Sequence, residues 1–190
     1  PQIDSKNETI TLGGKNPNPV APSKATLNPV FGAADDIWFL DFTVKQTVAT
    51  EDGGGWRRFS VTTTDSNVGF LFIYNDAEKT EEGIGTVRAI AQDNLAGDAD
   101  QIKLPGFCNT LEQLQAGVKF RIVRANEYLT LYAYNADGAL VRLARTEWAA
   151  EAENVFSFSG SYDTWQFSEV AVTEGFNFHA EVTATRPGGG

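Results

Sequence analysis

Strict apolar/polar alternation recurs along most of the chain. Helical periodicity is almost absent, and Phe dominates the aromatics, with 13 Phe against 4 Trp and 5 Tyr. These observations predict an all-β fold: a two-sheet antiparallel β-sandwich of about ten strands with one or two short helical turns. A chain of 190 residues fits a single domain and can bury a full core without disulfides or metals.

Residues 1–30 stand apart. Gly13-Gly14 and the prolines Pro17, Pro19, Pro22 and Pro29, among Asn, Lys and Ser, suit a flexible or wrapping N-terminal arm, with Glu8–Leu12 as one short strand. The sandwich is expected over 31–185, and Arg186-Pro-Gly-Gly-Gly190 reads as a tail. Asn7-Glu8-Thr9 matches a glycosylation sequon.

The first long strand covers Asp36–Lys45, with Trp38, Leu40, Phe42 and Val44 on one face. Gly53-Gly54-Gly55 turns the chain into Trp56–Thr64, where Phe59 and Val61 share a face. Val68–Tyr74 is apolar on both faces and belongs in the middle of a sheet. Thr86–Gln92 is a further strand. Asp93–Asp100 then forms an acidic loop, Thr110-Leu-Glu-Gln113 has capping-box spacing, and Gly117 ends one helical turn. Ala149–Glu153 is a second candidate for helix.

The clearest pattern follows. Val118, Phe120 and Ile122 share a face, Asn126-Glu127 turns, Leu129, Leu131 and Ala133 face the core, and Asn135-Ala-Asp-Gly138 turns into Ala139–Arg145. This predicts a three-strand meander. Asn154–Ser159, Thr164–Thr173 and Phe176–Thr185 complete the strand set.

The run GVKFRIVRANEYLTLYAYNADGALVRL resembles the central meander of concanavalin A-like, or laminin-G-like, jelly rolls. Ser157–Val172 resembles their closing strands and Trp38–Val44 their opening strand, so the likeness spans residues 31–173. The resemblance implies two curved sheets and glycan or protein binding. That superfamily also includes glycosidases and lyases, so fold alone does not decide activity.

Composition narrows the function. The net charge of −10 argues against nucleic acid, since the basic runs Trp56-Arg57-Arg58 and Lys119-x-Arg121-x-x-Arg124 are short and split between strand faces. There is no Met, secretory leader or apolar membrane span; the chain reads as a processed piece or fragment without membrane insertion. The single cysteine, Cys108, sits among apolar neighbours and reads as a buried structural thiol.

No catalytic constellation stands out. The paired carboxylates of a glycosidase strand are missing, Asp41 and Glu169 have no acidic neighbour at the needed spacing, and the lone His179 has no nucleophile elbow beside it. Asp93, Asp98 and Asp100, with Asn94, supply hard oxygen donors that suit Ca²⁺, but a solvated acidic loop is the plainer account. No other cofactor is expected.

Binding has better candidates. Tyr128, Thr130, Tyr132 and Tyr134 fall opposite the core face, and Lys119 and Arg121 do so on the neighbouring strand. Aromatic rings stack on sugars, and Arg supplies directional donors. The loop residues Trp56, with Arg57 as its polar neighbour, and Tyr162 complete the set. The plainer account is a half-covered outer face with Tyr on it.

The expectation is therefore a non-catalytic recognition domain, extracellular or on a cell or virion surface, that binds a glycan or a protein receptor. A viral spike or projection domain for host attachment, often oligomeric, is the first alternative, with a homodimer as one form. A glycan-active hydrolase or lyase is the second.

Overall fold

A computed structural model describes residues 2–4, 8–13, 23–27, 37–48, 57–64, 68–74, 85–90, 101–148 and 155–174. Among these, thirteen strands and one helix follow in chain order: β1 (Gln2–Asp4), β2 (Thr9–Leu12), β3 (Ser23–Thr26), β4 (Trp38–Val48), β5 (Arg57–Thr63), β6 (Gly69–Tyr74), β7 (Gly85–Ile90), β8 (Ile102–Lys103), α1 (Leu111–Ala116), β9 (Val118–Ala125), β10 (Tyr128–Tyr134), β11 (Leu140–Glu147), β12 (Phe156–Ser161) and β13 (Thr164–Glu174).

They form two antiparallel sheets. The seven-stranded sheet runs β1-β2-β13-β4-β9-β10-β11, and the six-stranded sheet runs β3-β12-β5-β6-β7-β8. The strands beyond the expected ten include β1, β3 and β8, which have two to four residues each. Each is the outermost strand of its sheet. Edge pairing needs only backbone N–H and C=O groups, so such strands carry little side-chain alternation to find.

The long strands obey their period of two. In β4, Trp38, Leu40, Phe42 and Val44 are buried while Phe39, Asp41, Thr43 and Lys45 are partly exposed. β6 is apolar on both faces and lies inside its sheet, between β5 and β7. The meander β9–β10–β11 forms as expected, with Leu131 opposite Ile122 on one side and Ala144 on the other.

The core between the sheets is aromatic. Phe59 stacks on Phe72 at 4.4 Å, and Phe158 on Phe167 at 4.5 Å. Phe120 and Trp165 reach across to Phe72 and Phe59 at 4.9 and 5.1 Å. Each fully buried ring contributes about 1.5–3 kcal/mol relative to exposure, and the tilted pairs add geometric preference.

α1 has the capping box read from Thr110 and Gln113: the Thr110 side chain accepts from the Gln113 N–H, and the Gln113 side chain accepts from the Thr110 N–H. Gly117 follows at φ +105, a conformation that side chains rarely adopt, and its N–H donates to the Gln113 carbonyl. Cys108 is fully buried, and its burial pushes the thiol up to about 12. The Tyr74 hydroxyl donates to the Cys108 carbonyl at 2.8 Å.

One end of the sandwich carries a buried polar cluster. Asp163, in the turn between β12 and β13, has no exposed surface. Arg57 Nε lies 3.0 Å from its carboxylate, and the Gln46 amide donates to the same oxygen. Gln115 of α1 donates to Gln46 at 3.1 Å. The cluster joins β5 of one sheet to β4 of the other. Burying these charges is tolerable because they are paired and Asp163 also accepts from Gln46.

Ala149–Glu153, Phe176–Thr185, the Asn7 sequon residue and the tail lie outside the described residues. No helix among the described residues is long and apolar enough to cross a membrane.

Candidate functional site

Alternation in β4, β9, β10 and β11 sends every second side chain outward, and the registers arrange them in rows across the seven-stranded sheet. The central row is Ala171, Asp41, Arg121, Tyr132 and Arg142, taken from β13, β4, β9, β10 and β11. On one side of it lie Ser168, Thr43 and Lys119. On the other lie Thr173, Phe39, Val123, Thr130 and Arg145. Neighbouring strands are about 4.8 Å apart, so each row is a continuous strip.

Arg121 and Asp41 form a two-pronged pair: Nε donates to Oδ1 at 2.8 Å and Nη2 to Oδ2 at 2.6 Å. The Tyr134 hydroxyl donates to Asp41 Oδ1 at 3.2 Å. The guanidinium is thereby held 5.1 Å from the Phe39 ring centre and 5.5 Å from that of Tyr134. The hydrogen bond to Asp41 is the main cause that raises the Arg121 pKa, with partial burial opposing it. Burial, then the Asp41 charge, raises that of Tyr134, so its phenol stays a donor.

A second cluster adjoins the first. A β-bulge in β13 between Ser168 and Ala171 places Glu169 at φ +51. Glu169 accepts from the Thr43 hydroxyl at 2.7 Å and lies 3.8 Å from the Lys119 ammonium, which in turn sits 5.5 Å from the Tyr134 ring. Beside Lys119 and Tyr134 a cavity of 330 Å³ opens, bounded also by Phe107, Asn135 and Ala136. That volume is at the small end of ligand pockets.

The structure brings together Arg121, Thr130, Tyr132 and Tyr134, together with Tyr128, on this face. The Arg145 guanidinium lies 3.3 Å from the centre of the Tyr128 ring. Arg57 is placed elsewhere: it is turned into the sandwich against Asp163, with 6% of its surface exposed. Tyr162 occupies the turn beside Asp163 at φ +69, half-buried, and not in the Tyr–Arg rows. Trp56, Asp93, Asp98 and Asp100 lie outside the described residues. Among the described residues no group of three or more His, Cys, Asp or Glu side chains is arranged to hold a metal ion.

Sequence reasoning left Asp41 and Glu169 without partners and did not single out Phe39, Arg142 or Arg145. The outward parity of Asp41 was visible, but Arg121 is 80 residues away and reaches it only through the β4–β9 pairing.

No family model matches the chain, and no curated protein matches it by sequence. Solved structures do match. The alginate lyase AlyC3 superposes with a TM-score of 0.55 at 11% identity, over 90% of this chain and 77% of that one. Lectin I-B4 of Griffonia simplicifolia, in a metal-free form, gives 0.52 at 12% identity over 91% and 95%. The legume lectin-like domain from Entamoeba histolytica gives 0.52 at 12% identity over 90% and 92%. Likeness at this identity is a likeness of fold. The chain has the concanavalin A-like jelly-roll fold, in which both lectins and alginate lyases are built.

Proposed function

We propose that the outer face of the seven-stranded sheet is a non-catalytic glycan-recognition surface. The observation that carries this reading is the Asp41–Arg121–Tyr134 constellation beside the 330 Å³ cavity. Tyr132 and Tyr134 offer ring faces for sugar stacking, and Arg121, oriented by Asp41, offers directional donors. Thr43, Thr130 and Lys119 add hydrogen-bonding groups along the same rows. A face held by strands is already ordered before the ligand arrives, which reduces the entropy cost of binding. The fold likeness to lectins fits this reading. Glycans of this kind are met outside cells, so the reading places the domain there or on a surface.

The test is a glycan-array screen of the purified domain with and without Ca²⁺, repeated with Tyr134→Ala and Tyr132→Ala. Binding lost in both variants, with the fold retained, is the expected result. Binding unchanged in both variants would remove the face from consideration. New reducing or unsaturated ends in an incubated polysaccharide would overturn the non-catalytic reading. A Ca²⁺ requirement would bring in Asp93, Asp98 and Asp100. Sedimentation analysis separates the assembly alternative: a dimer that buries Tyr132 and Tyr134 would assign them to an interface.

A further inference from the structure

Charge is unevenly used on this face. On β4, β9, β11 and the β13 bulge its outward positions include five bases, Lys45, Lys119, Arg121, Arg142 and Arg145, against three acids, Asp41, Glu147 and Glu169, while the register puts Asp4 at the far β1 edge. This is a basic excess on a chain whose net charge is −10. Asp41 is matched by Arg121, and Glu169 lies beside Lys119. On these strands the balance then leaves Lys45, Arg142 and Arg145 against Glu147.

Geometry sharpens the point. Tyr132 pairs in register with Arg121 on one side and Arg142 on the other, so its ring lies in a row between two guanidinium-bearing positions. Those positions are two strand spacings apart, roughly 10 Å. Arg145 stands in the next row, beside Tyr128, and both Arg142 and Arg145 are exposed. Across the strands the central row thus sets an aromatic position, Tyr132 on β10, between cationic positions on β9 and β11. A neutral sugar is served by the rings and the Arg121 donors and does not call for two further exposed guanidiniums.

We infer that the surface selects an anionic polysaccharide, one that bears carboxylate or sulfate groups, with Arg142 and Arg145 as its charge-reading residues. The inference rests on the glycan-recognition reading above and names the ligand class for it. Sugar rings lie against Tyr132, while the acidic substituents meet Arg142 and Arg145, the latter seated on Tyr128, at the β11 edge. Guanidinium groups suit both acid types, since their paired N–H donors match two oxygens of a carboxylate or a sulfate. The chain's overall acidity does not prevent contact, because at physiological ionic strength charges more than about 8 Å away are screened.

Affinity electrophoresis and calorimetry with polygalacturonate, dextran sulfate and neutral dextran test it, with single-stranded DNA as a non-glycan polyanion. The expected result is binding to one or both acidic polymers, weaker binding to dextran and DNA, and loss of affinity with added salt. Preference between the two acidic polymers then assigns carboxylate or sulfate. The double variant Arg142→Glu/Arg145→Glu is expected to bind about tenfold or more weakly. Lys24→Glu, exposed on the six-stranded sheet, is expected to bind as the parent does. The single variant Arg142→Gln, checked by thermal midpoint, guards against a folding defect. Equal binding of dextran and the acidic polymers would overturn the inference while leaving glycan recognition standing. Binding of no polysaccharide would overturn both. Equal binding of DNA, or acidic-polymer binding unaffected by the double reversal, would overturn the selectivity and its site.

Discussion

Replacing Asp163 by Ala removes the carboxylate on which the buried end of the sandwich converges. Arg57 Nε lies 3.0 Å from it, both side chains are nearly inaccessible, and Gln46 donates to the same oxygen. The variant leaves the Arg57 guanidinium without that counter-charge and Gln46 without its acceptor. Breaking a buried ion pair from one side costs about 3–5 kcal/mol, because the remaining charge stays desolvated. For a chain of this size each kcal/mol moves the thermal midpoint by roughly 2–4 °C, so a fall of about 6–20 °C is expected. Urea denaturation followed by Trp fluorescence measures the loss directly, since Trp165 packs two residues from the site. Arg57→Met and the double variant complete a thermodynamic cycle. The coupling should exceed about 1 kcal/mol, and the double variant should be less destabilised than the two singles together. A cost below about 1 kcal/mol for Asp163→Ala, or no coupling, would refute the view that this cluster joins the sheets.

Other expectations follow from the packing and the titrating groups. A Cβ added at Gly160 would meet the buried Trp165 ring at 2.5 Å, so Gly160→Ala should destabilise by about 1–3 kcal/mol, measured by the same urea titration. Cys108 should resist maleimide in the native state and react on unfolding, because the thiolate is the nucleophile and burial holds the thiol protonated up to about 12. Burial likewise raises Tyr74 well above the usual phenol range, with the nearby Cys108 adding to it. Both groups prefer their protonated forms more strongly in the folded chain. The stabilisation is therefore complete below about pH 9 for Cys108 and below about pH 10 for Tyr74, and it declines as pH rises from there, by up to about 1.4 kcal/mol per pH unit for each group. A midpoint that stays level between pH 9 and 11 would contradict this.

How far the site was legible depended on the distance over which its parts were brought together. Period-two alternation alone put Tyr128, Thr130, Tyr132 and Tyr134 on one face, and the polar turns Asn126-Glu127 and Asn135–Gly138 made β9, β10 and β11 a meander. Local spacing also located α1 through Thr110, Gln113 and Gly117. Arg57 is instructive. It shares parity with the core residues Phe59 and Val61, which is the sign of an inward side chain, but an isolated charge is expected outside because burial is costly without a partner. Its partner, Asp163, comes from a turn far along the chain.

The sequence by itself determined the fold class, the core-facing set of each long strand and the helix caps, because side-chain alternation and capping are properties of neighbouring residues. Only the tertiary structure decided that β4 lies between β13 and β9, and hence that Asp41 orients Arg121 and Tyr134 while Glu169 reaches Thr43 and Lys119. Strand order is set by packing two whole sheets around one aromatic core, and no local pattern in β4 records which strands will flank it.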